Sequence, residues 1–363
     1  MSSRTVPRRR RDFPRLPGRQ RGIALLVAIL LVALGTIIAA DIAYRSAMSA
    51  RRATATLSFD EALLVTQGAE ALSAYGLKAV LSSGKGGSST GGGGVDVTAQ
   101  QPWAQPVGPI EVVPGVMLEA QLEDMQGRFN LNWLVVPLNG AAGLPASAAN
   151  NVNPTQSGTP TAQPGQPDPA AVAAFRKLLE LSQVDPKWTD MLVDWIDKDN
   201  QPQTQGAEDS AYMGQNPPYL AANEYITSTT ELLALPGFGR ENYQKLAPFI
   251  AALPPGTKLN LCTARGRVLD AFNPGTTQWE DEATLQKNRE TAPGCFPTSN
   301  DYSASFGSQT GTKFDSTRFT TSSNFFRLSS LVTIGSAEFN LYSLLYLDSQ
   351  YFVHPIQRSF SPD

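Results

Sequence analysis

The run from Ile23 to Ala40 is uncharged and mostly apolar, and it constrains the rest of the chain more than any other feature. Its roughly 18 residues are just enough for a helix that crosses a thin bilayer. Eight arginines and a single acidic residue precede it, within residues 1–22. By the positive-inside rule, this pattern places the N-terminus in the cytoplasm and everything after Ala40 outside it.

The apolar run could be a cleaved signal peptide, a plain signal anchor or a more specialised segment. A cleaved signal peptide usually has a shorter apolar region, and here it would end at a small-residue site such as Ala40, followed by unrelated sequence. Instead, helix-forming composition continues past Asp41 as far as Leu81. The pattern therefore predicts one helix over residues 23–81, with residues 23–40 in the membrane.

Few residues in the chain could carry catalysis. The single histidine, His354, has no plausible nucleophile partner near it in the sequence, and no common hydrolase or nucleotide-binding motif occurs. The net charge of −3 argues against a general nucleic-acid binder, and the chain after residue 22 is clearly acidic because eight of the 29 lysines and arginines lie before it. We therefore expect a protein that is not an enzyme.

Cys262 and Cys295 are the only cysteines in the sequence. Two cysteines without a CxxC pair do not make a zinc site. If the part of the chain after Ala40 is exported, the two cysteines would form one disulfide that closes a loop of roughly 30 residues. If it stays in the cytoplasm, they would be two buried thiols.

Two stretches divide the exported part of the chain. Residues 82–109 are rich in glycine and are predicted to form a linker. Residues 137–167 have almost no large apolar residues and are predicted to form a disordered insert. Between them, apolar and polar residues alternate over 110–136. This alternation predicts a β-hairpin that turns near Gly127.

The hydrophobic period becomes helical from Asp168 onwards, where an Asp cap and a proline begin the first helix. Residues 168–322 are predicted to form a mainly helical domain. Alternation returns over 323–363, where two strands would meet near Gly335. The predicted fold class is α+β: a long N-terminal α-helix packed on an antiparallel sheet, with a large, mainly α-helical domain inserted between strands.

The densest group of possible ligands is the stretch "DWIDKDNQPQTQGAED", Asp194–Asp209. Oxygen ligands at this density, without His or Cys, suit Ca²⁺ rather than Zn²⁺. Asp197, Asp199 and Glu208 match positions one, three and twelve of an EF-hand loop, but Pro202 replaces the glycine that the EF-hand turn needs. The sequence predicts a different loop in which carboxylates converge on Ca²⁺; the alternative is a solvated acidic loop.

The stretch "LLALPGFGRENYQKLAPFI", residues 232–250, resembles a helix-hairpin-helix, whose glycine-rich turn presents backbone N–H groups to DNA phosphate. It occurs once, with only Arg240 and Lys245 close by. A structural αα-hairpin or a protein-contact surface is the preferred interpretation. The alternative is an exported DNA-binding or DNA-uptake protein that uses this segment.

A basic leader that ends in Gly22, followed by a helix that is apolar first and amphipathic later, resembles the type IV pilin-like family. The resemblance implies that a prepilin peptidase cleaves between Gly22 and Ile23 and methylates the new N-terminus. Most members carry Glu at the fifth mature position, where this chain has Val27. In that family the Glu pairs with the subunit above, so its absence indicates a subunit at the filament tip.

Further segments resemble the protein K family of type II secretion minor pseudopilins, namely "LEDMQGRFNLNWL", "DWIDKDNQPQTQGAEDSAYMGQNPPYLAANEYITSTTELLALPGF" and "KLNLCTA". The resemblance implies a single-pass protein of the inner membrane of a Gram-negative bacterium, with its bulk in the periplasm. It would form or cap the pseudopilus tip and help to initiate assembly for the export of folded proteins.

The same resemblance implies the partners and the metal ligands. The partners would be the minor pseudopilins I, J and H, the major pseudopilin G and the prepilin peptidase, with no nucleic acid. A structural calcium ion would lie in the helical domain. Its implied ligands are Asp197, Asp199, Glu208 and Asp209, with Asp194 as a weaker candidate.

Overall fold

The computed structural model describes residues 21–83, 95–137, 164–273, 278–292, 294–306 and 315–361, with backbone only at Arg21, Gly22 and Ser83. The expected basic leader therefore lies outside the described residues, apart from its last two positions. Residues 84–94 of the expected linker and residues 138–163 of the expected insert also lie outside them.

The N-terminal helix α1 spans Arg21–Ser83, as predicted for a single long helix. From Ile23 to Ala47 its side chains are exposed, and Ile23–Ser82 is long and apolar enough to cross a membrane by length and composition. Residues up to Asp60 belong to one compact unit and the rest of the chain to another. Within the second unit, one side of α1 is buried.

The strands of the described residues, in chain order, are β1 Val107–Val113, β2 Val116–Asp124, β3 Phe129–Asn130, β4 Ile250–Ala251, β5 Leu259–Asn260, β6 Phe319–Thr320, β7 Phe325–Ile334, β8 Ala337–Leu347 and β9 Val353–Ser359. Five of them form an antiparallel sheet in the order β1-β2-β7-β8-β9. Leu77 and Leu81 of α1 pack with Leu118, Leu328 and Val332 on one face of this sheet.

The first hairpin differs from the predicted one. β1 and β2 pair with each other and turn between Val113 and Val116, well before Gly127. Gly127 ends a 3-10 turn, after which β3 pairs in parallel with β4, away from the five-stranded sheet. The hairpin predicted to turn at Gly127 is wrong, because the apolar residues Phe129 and Leu131 fill the core of the inserted domain instead of a sheet face.

The C-terminal strands follow the prediction more closely. β7 and β8 pair along their whole length and turn at Gly335, so the predicted meeting point is confirmed. A third strand, β9, adds the edge that the sequence did not predict. Glu70 of α1 links the helix to this edge, because its carboxylate accepts hydrogen bonds from Ser343 of β8 and from Arg358 of β9.

The inserted domain lies in the chain between β2 and β7. Its helices are α2 Pro169–Leu181, α3 Trp188–Ile196, α4 Asp209–Tyr212, α5 Gly239–Leu246, α6 Gly266–Phe272, α7 Glu282–Thr291 and α8 Ser299–Ser305. Asp168 caps α2 by accepting hydrogen bonds from the backbone N–H groups of Ala170 and Ala171, as its position predicted. Cys262 and Cys295 are joined in a disulfide, with Cα atoms 4.8 Å apart. The α+β class, with a helical insertion between strands, is confirmed.

Candidate metal centre

The acidic loop connects α3 to α4, and the two helix ends position its carboxylates. α3 is anchored by its buried residues Leu192, Val193 and Trp195. Asp197 is the residue that follows the last turn of α3, and Glu208 is the residue that precedes α4. Packing of two short helices therefore brings the two ends of the loop together.

Three of the predicted ligands converge. Asp197, Asp199 and Glu208 each place one carboxylate oxygen within 4.8 Å of the other two. Asp197 and Glu208 are buried, at 1% and 6% exposure, whereas Asp199 is more accessible to solvent. All four carboxylate oxygens of Asp197 and Glu208 are buried and have no hydrogen-bond partner within the described part of the chain. Buried carboxylates without donors are costly, so they require either a cation or a bound proton.

The pKa values of the clustered carboxyl groups are raised, as their burial and close spacing lead us to expect. Burial, together with the negative charges of Asp199, Asp194 and Glu208, raises the pKa of Asp197 to about 7. Burial and the neighbouring carboxylates also raise the pKa of Glu208 to about 7. The carboxyl groups therefore resist simultaneous ionisation when nothing compensates their charge.

Asp194 has a different role. It is fully buried in the last turn of α3, and its carboxylate accepts a hydrogen bond from the backbone N–H of Gln203 at 3.1 Å. Gly206 makes this possible, since a Cβ at that position would lie 1.8 Å from Asp194 Oδ2. Burial raises the pKa of Asp194 to about 6. Asp194 thus fixes the path of the loop. In the sequence, the glycine at 206 within an acidic segment is the feature that could have indicated this close contact.

Asp209 does not join the converging carboxylates. Its Oδ1 accepts a hydrogen bond from the backbone N–H of Ala221 at 3.1 Å, which fixes the segment that follows α4. Of the four residues in the predicted ligand set, the structure brings together Asp197, Asp199 and Glu208, and places Asp209 beside them as a loop contact.

The donor set fits a calcium ion. Calcium takes six to eight oxygen ligands at about 2.3–2.6 Å, so two oxygens on opposite sides of it lie about 4.8 Å apart. The three carboxylate oxygens lie within 4.8 Å of one another, so one such ion can contact all three. Carboxylates alone, with no imidazole or thiolate among the grouped residues, favour Ca²⁺ over Zn²⁺. Backbone carbonyls or water would complete the coordination.

The helix-hairpin-helix-like segment packs on the core of the domain. It begins with a 3-10 helix, Thr229–Ala234, and not with an α-helix, and continues into α5. Phe238 of the turn is buried, with its ring centroid 5.3 Å from that of Trp188. Lys245, one of the two nearby basic residues, forms an ion pair with Glu241. The DNA-binding alternative for this segment stays an untested prediction.

The remaining predicted positions are simple to place. Gly22 and Ile23 lie in the first turn of α1, and cleavage between them stays a prediction. His354 is exposed on β9, with its Nε2 3.1 Å from Asp348 Oδ2. A surface contact of this kind needs no catalytic explanation.

Comparison with known proteins identifies the family. Residues 127–255 match the family model described as Type II secretion system (T2SS), protein K. The type II secretion system protein K of Pseudomonas aeruginosa is 30% identical over 334 residues, which cover 90% of this chain and 88% of the relative. The chain belongs to the type II secretion system protein K family. The protein K of Aeromonas hydrophila is 33% identical over 242 residues, covering 65% of this chain and 64% of the relative.

The fold of this protein K family member is also similar to a solved structure. A chain in the crystal structure of the GspK-GspI-GspJ complex from enterotoxigenic Escherichia coli superimposes with a TM-score of 0.63 at 22% identity, covering 86% of this chain and 100% of that chain. Likeness at this identity establishes the shared fold. Family membership makes the chain a minor pseudopilin of a type II secretion system, which is a structural component of the secretion machinery.

Proposed function

We propose that this minor pseudopilin forms or caps the tip of the periplasmic pseudopilus and helps to initiate its assembly for the export of folded proteins across the outer membrane. The observation that carries the proposal is the large helical domain inserted between β2 and β7. A subunit with so large an addition beside its sheet leaves little room for another subunit on the same side. Growth would then proceed only from the other end.

The N-terminal helix supplies the anchor and later the filament contact. Residues 23–40 carry only exposed apolar or small side chains, apart from Thr36, and suit first a bilayer and then a bundle of helices. Burying a few hundred Å² against each neighbour, at about 25 cal/mol per Å², would contribute several kcal/mol. Val27 at the fifth mature position fits a subunit that has no neighbour above it.

The topology follows from the charge of the leader. Its arginines would keep the N-terminus in the cytoplasm, place the helix in the inner membrane and leave the folded part in the periplasm. The prepilin peptidase would cleave between Gly22 and Ile23. The solved complex of a relative with GspI and GspJ supports the minor pseudopilins I and J as direct partners, and we extend this to H and to the major pseudopilin G.

Calcium would have a structural role in this function. Asp197, Asp199 and Glu208 would hold the ion, while Asp194 and Asp209 hold the loop through backbone N–H groups. The ion supplies the positive charge that the buried oxygens otherwise lack. It would keep the surface between α3 and α4 in one conformation for contact with partners.

Two experiments test the proposal. Mass spectrometry of the protein from native membranes should find an N-methylated Ile23, and a Gly22→Leu variant should retain the leader; an N-terminus after Ala40 contradicts the anchor.

Gold labels on the inserted domain should mark one end of each pseudopilus, and overproduction of the protein should shorten the pseudopili. Labels along the length of the filament would refute the tip position.

A further inference from the structure

The face of the sheet that points away from α1 carries a cluster of charges where it meets the inserted domain. Phe326 and Leu328 pack on the α1 side, so Arg327 between them lies on the opposite face. On β2, Glu123 is directly opposite Arg327 in the strand register. The two side chains form an ion pair at 2.8 Å.

The cluster contains more positive than negative charge. Two further guanidinium groups reach the same carboxylate: that of Arg128, which hydrogen-bonds to Glu123 Oε1, and that of Arg265, whose Nη2 lies 3.9 Å from it. Arg267 lies close to this group through its contact with Phe249, but is paired with Glu280 at 3.5 Å. Glu123 therefore faces three guanidinium groups with a single carboxylate.

Part of this positive charge is out of solvent. The Arg128 side chain is 8% exposed, and burial lowers its pKa, with the charges of Arg327 and Arg265 adding to the effect and Glu123 opposing it. The Nε of Arg327 is buried and has no hydrogen-bond partner among the described residues. A buried N–H donor of a charged group is costly when it is left unpaired, so this position favours an additional acceptor.

A small cavity adjoins the cluster. Its volume is about 20 Å³, and it is lined by both Arg128 and Arg327, together with Thr229, Tyr342 and Ser359. Since about 10–15 Å³ is enough for one water molecule, it has space for a single small group. The hydroxyl of Ser359 donates to the carbonyl of Ser361, and that of Thr229 is shared with Tyr243. Arg128 and Arg327 supply the charged groups of the cavity lining.

We infer that this cavity is a binding site for a carboxylate group presented by an acidic side chain of a protein partner. Planar guanidinium groups match carboxylates in charge and geometry, better than an ammonium group would. The cavity holds one such group and nothing larger, so the remainder of the ligand must lie on the surface. An acidic side chain that projects from a partner packed on this open face meets both conditions, and the surplus positive charge supplies the complementarity.

The test uses the full chain in detergent micelles and follows the ¹⁵N–¹H resonance of Arg327 Nε, assigned through its loss in Arg327→Lys. At constant ionic strength, acetate should shift this resonance saturably, and the neutral analogue acetamide should not. The acidic peptide acetyl-Gly-Glu-Gly-amide should shift it at lower concentration than its Gln counterpart. Equal effects of acetate and acetamide overturn the site; binding of acetate without any preference for the Glu peptide overturns the protein partner.

Two variants keep the test independent of folding. Arg265→Gln removes a half-exposed charge of the cluster and should weaken acetate and Glu-peptide binding severalfold, without leaving a buried carboxylate unpaired. Arg267→Gln is the matched control, since its partner is Glu280, and it should bind as the parent does. Equal affinity in the parent and Arg265→Gln would show that the charge surplus does not create the site.

Discussion

Glu70 and Asp197 are both buried carboxylates, at 7% and 1% exposure, and their surroundings give them opposite properties. Burial opposes ionisation of Glu70, but the hydrogen bonds from Arg358 and Ser343 and the charge of Arg358 outweigh it, and its pKa is lowered. Asp197 has no such donors and only negative neighbours, so its pKa is raised to about 7. The comparison shows that the packed sheet compensates its own buried charge, whereas the buried carboxylates of the acidic loop require either a cation or a bound proton.

This difference separates two kinds of stability within one protein. The contact of α1 with the sheet depends on apolar burial and one complete ion pair, both provided by the chain. The loop between α3 and α4 has converging carboxylates and few apolar residues, so its conformation should depend on solution conditions. The predictions that follow test each side of this contrast.

The largest effect is expected in the apolar part. Leu77→Ala removes a fully buried side chain between α1 and the sheet, and should lower the free energy of unfolding by about 2–5 kcal/mol. Leu72→Ala, on the same helix at 68% exposure, is the matched control and should change it by less than about 0.5 kcal/mol. Denaturant unfolding of the full chain in micelles measures both. Equal losses would show that α1 is not held by this face.

Calcium is the next test, because it acts on the loop alone. Adding Ca²⁺ to the chelated protein at 100 times its dissociation constant should stabilise the inserted domain by about 2.7 kcal/mol. Mg²⁺ at the same concentration should have a much smaller effect, since it retains its water and prefers octahedral sites. The melting temperature with EDTA, Ca²⁺ or Mg²⁺ provides the measurement. No calcium-dependent change would refute the metal centre.

A substitution in the acidic cluster should stabilise the protein without calcium and destabilise it with calcium. Asp197→Asn removes one of the repelling charges, so it should slightly stabilise the protein from which EDTA has removed calcium. In the presence of Ca²⁺ the same substitution removes a ligand. It should then weaken calcium affinity at least about tenfold, or 1.4 kcal/mol. Asp209→Asn is the comparison and should alter calcium affinity much less, because Asp209 contacts the Ala221 N–H. Calcium titration by calorimetry distinguishes the two. Equal losses of affinity would place Asp209 among the ligands.

The smallest change in the free energy of unfolding is expected at Glu70, whose charge Arg358 compensates. Glu70→Gln should cost about 1 kcal/mol near pH 7, as it weakens a charge-assisted hydrogen bond. The folded-state pKa of Glu70 is below its ordinary value of 4.5, so its ionisation contributes stability above that value, and the contribution is lost as pH falls through the folded-state pKa. The gap between parent and variant in denaturant unfolding should therefore close as the pH falls below 4.5 and through the folded-state pKa. A gap that widens on acidification would contradict the assigned ion pair.

The elements with strong local signals were predictable. The apolar run and its helical continuation predicted α1, the Asp168 cap predicted the start of α2, and Gly335 marked the β7–β8 turn. The hairpin at Gly127 failed because alternation shows that one side of a segment is buried without showing against what. Phe129 and Leu131 satisfy the pattern in the domain core just as well as they would on a sheet.

The candidate site divides in the same way. Residue chemistry pointed to Asp197, Asp199 and Glu208, because hard oxygen donors at high density are a local property of the sequence. The family resemblance ranked Asp194 below the other candidates, but it placed Asp209 among the ligands. The separation of ligands from loop contacts depends on which backbone N–H groups reach each carboxylate, and those of Gln203 and Ala221 arrive only once the loop is folded.

By itself, the sequence determined the long apolar helix and the order of helical and strand regions, and it predicted calcium as the metal, since each follows from composition and period along the chain. Only the tertiary structure decided which carboxylates face one another, how β1, β2 and β9 join the sheet and where three guanidinium groups meet one glutamate. The reason is that these contacts depend on the folded path of the chain, even in the acidic loop, where the residues are close in sequence. Their energies depend on burial and distance, which a linear pattern does not contain.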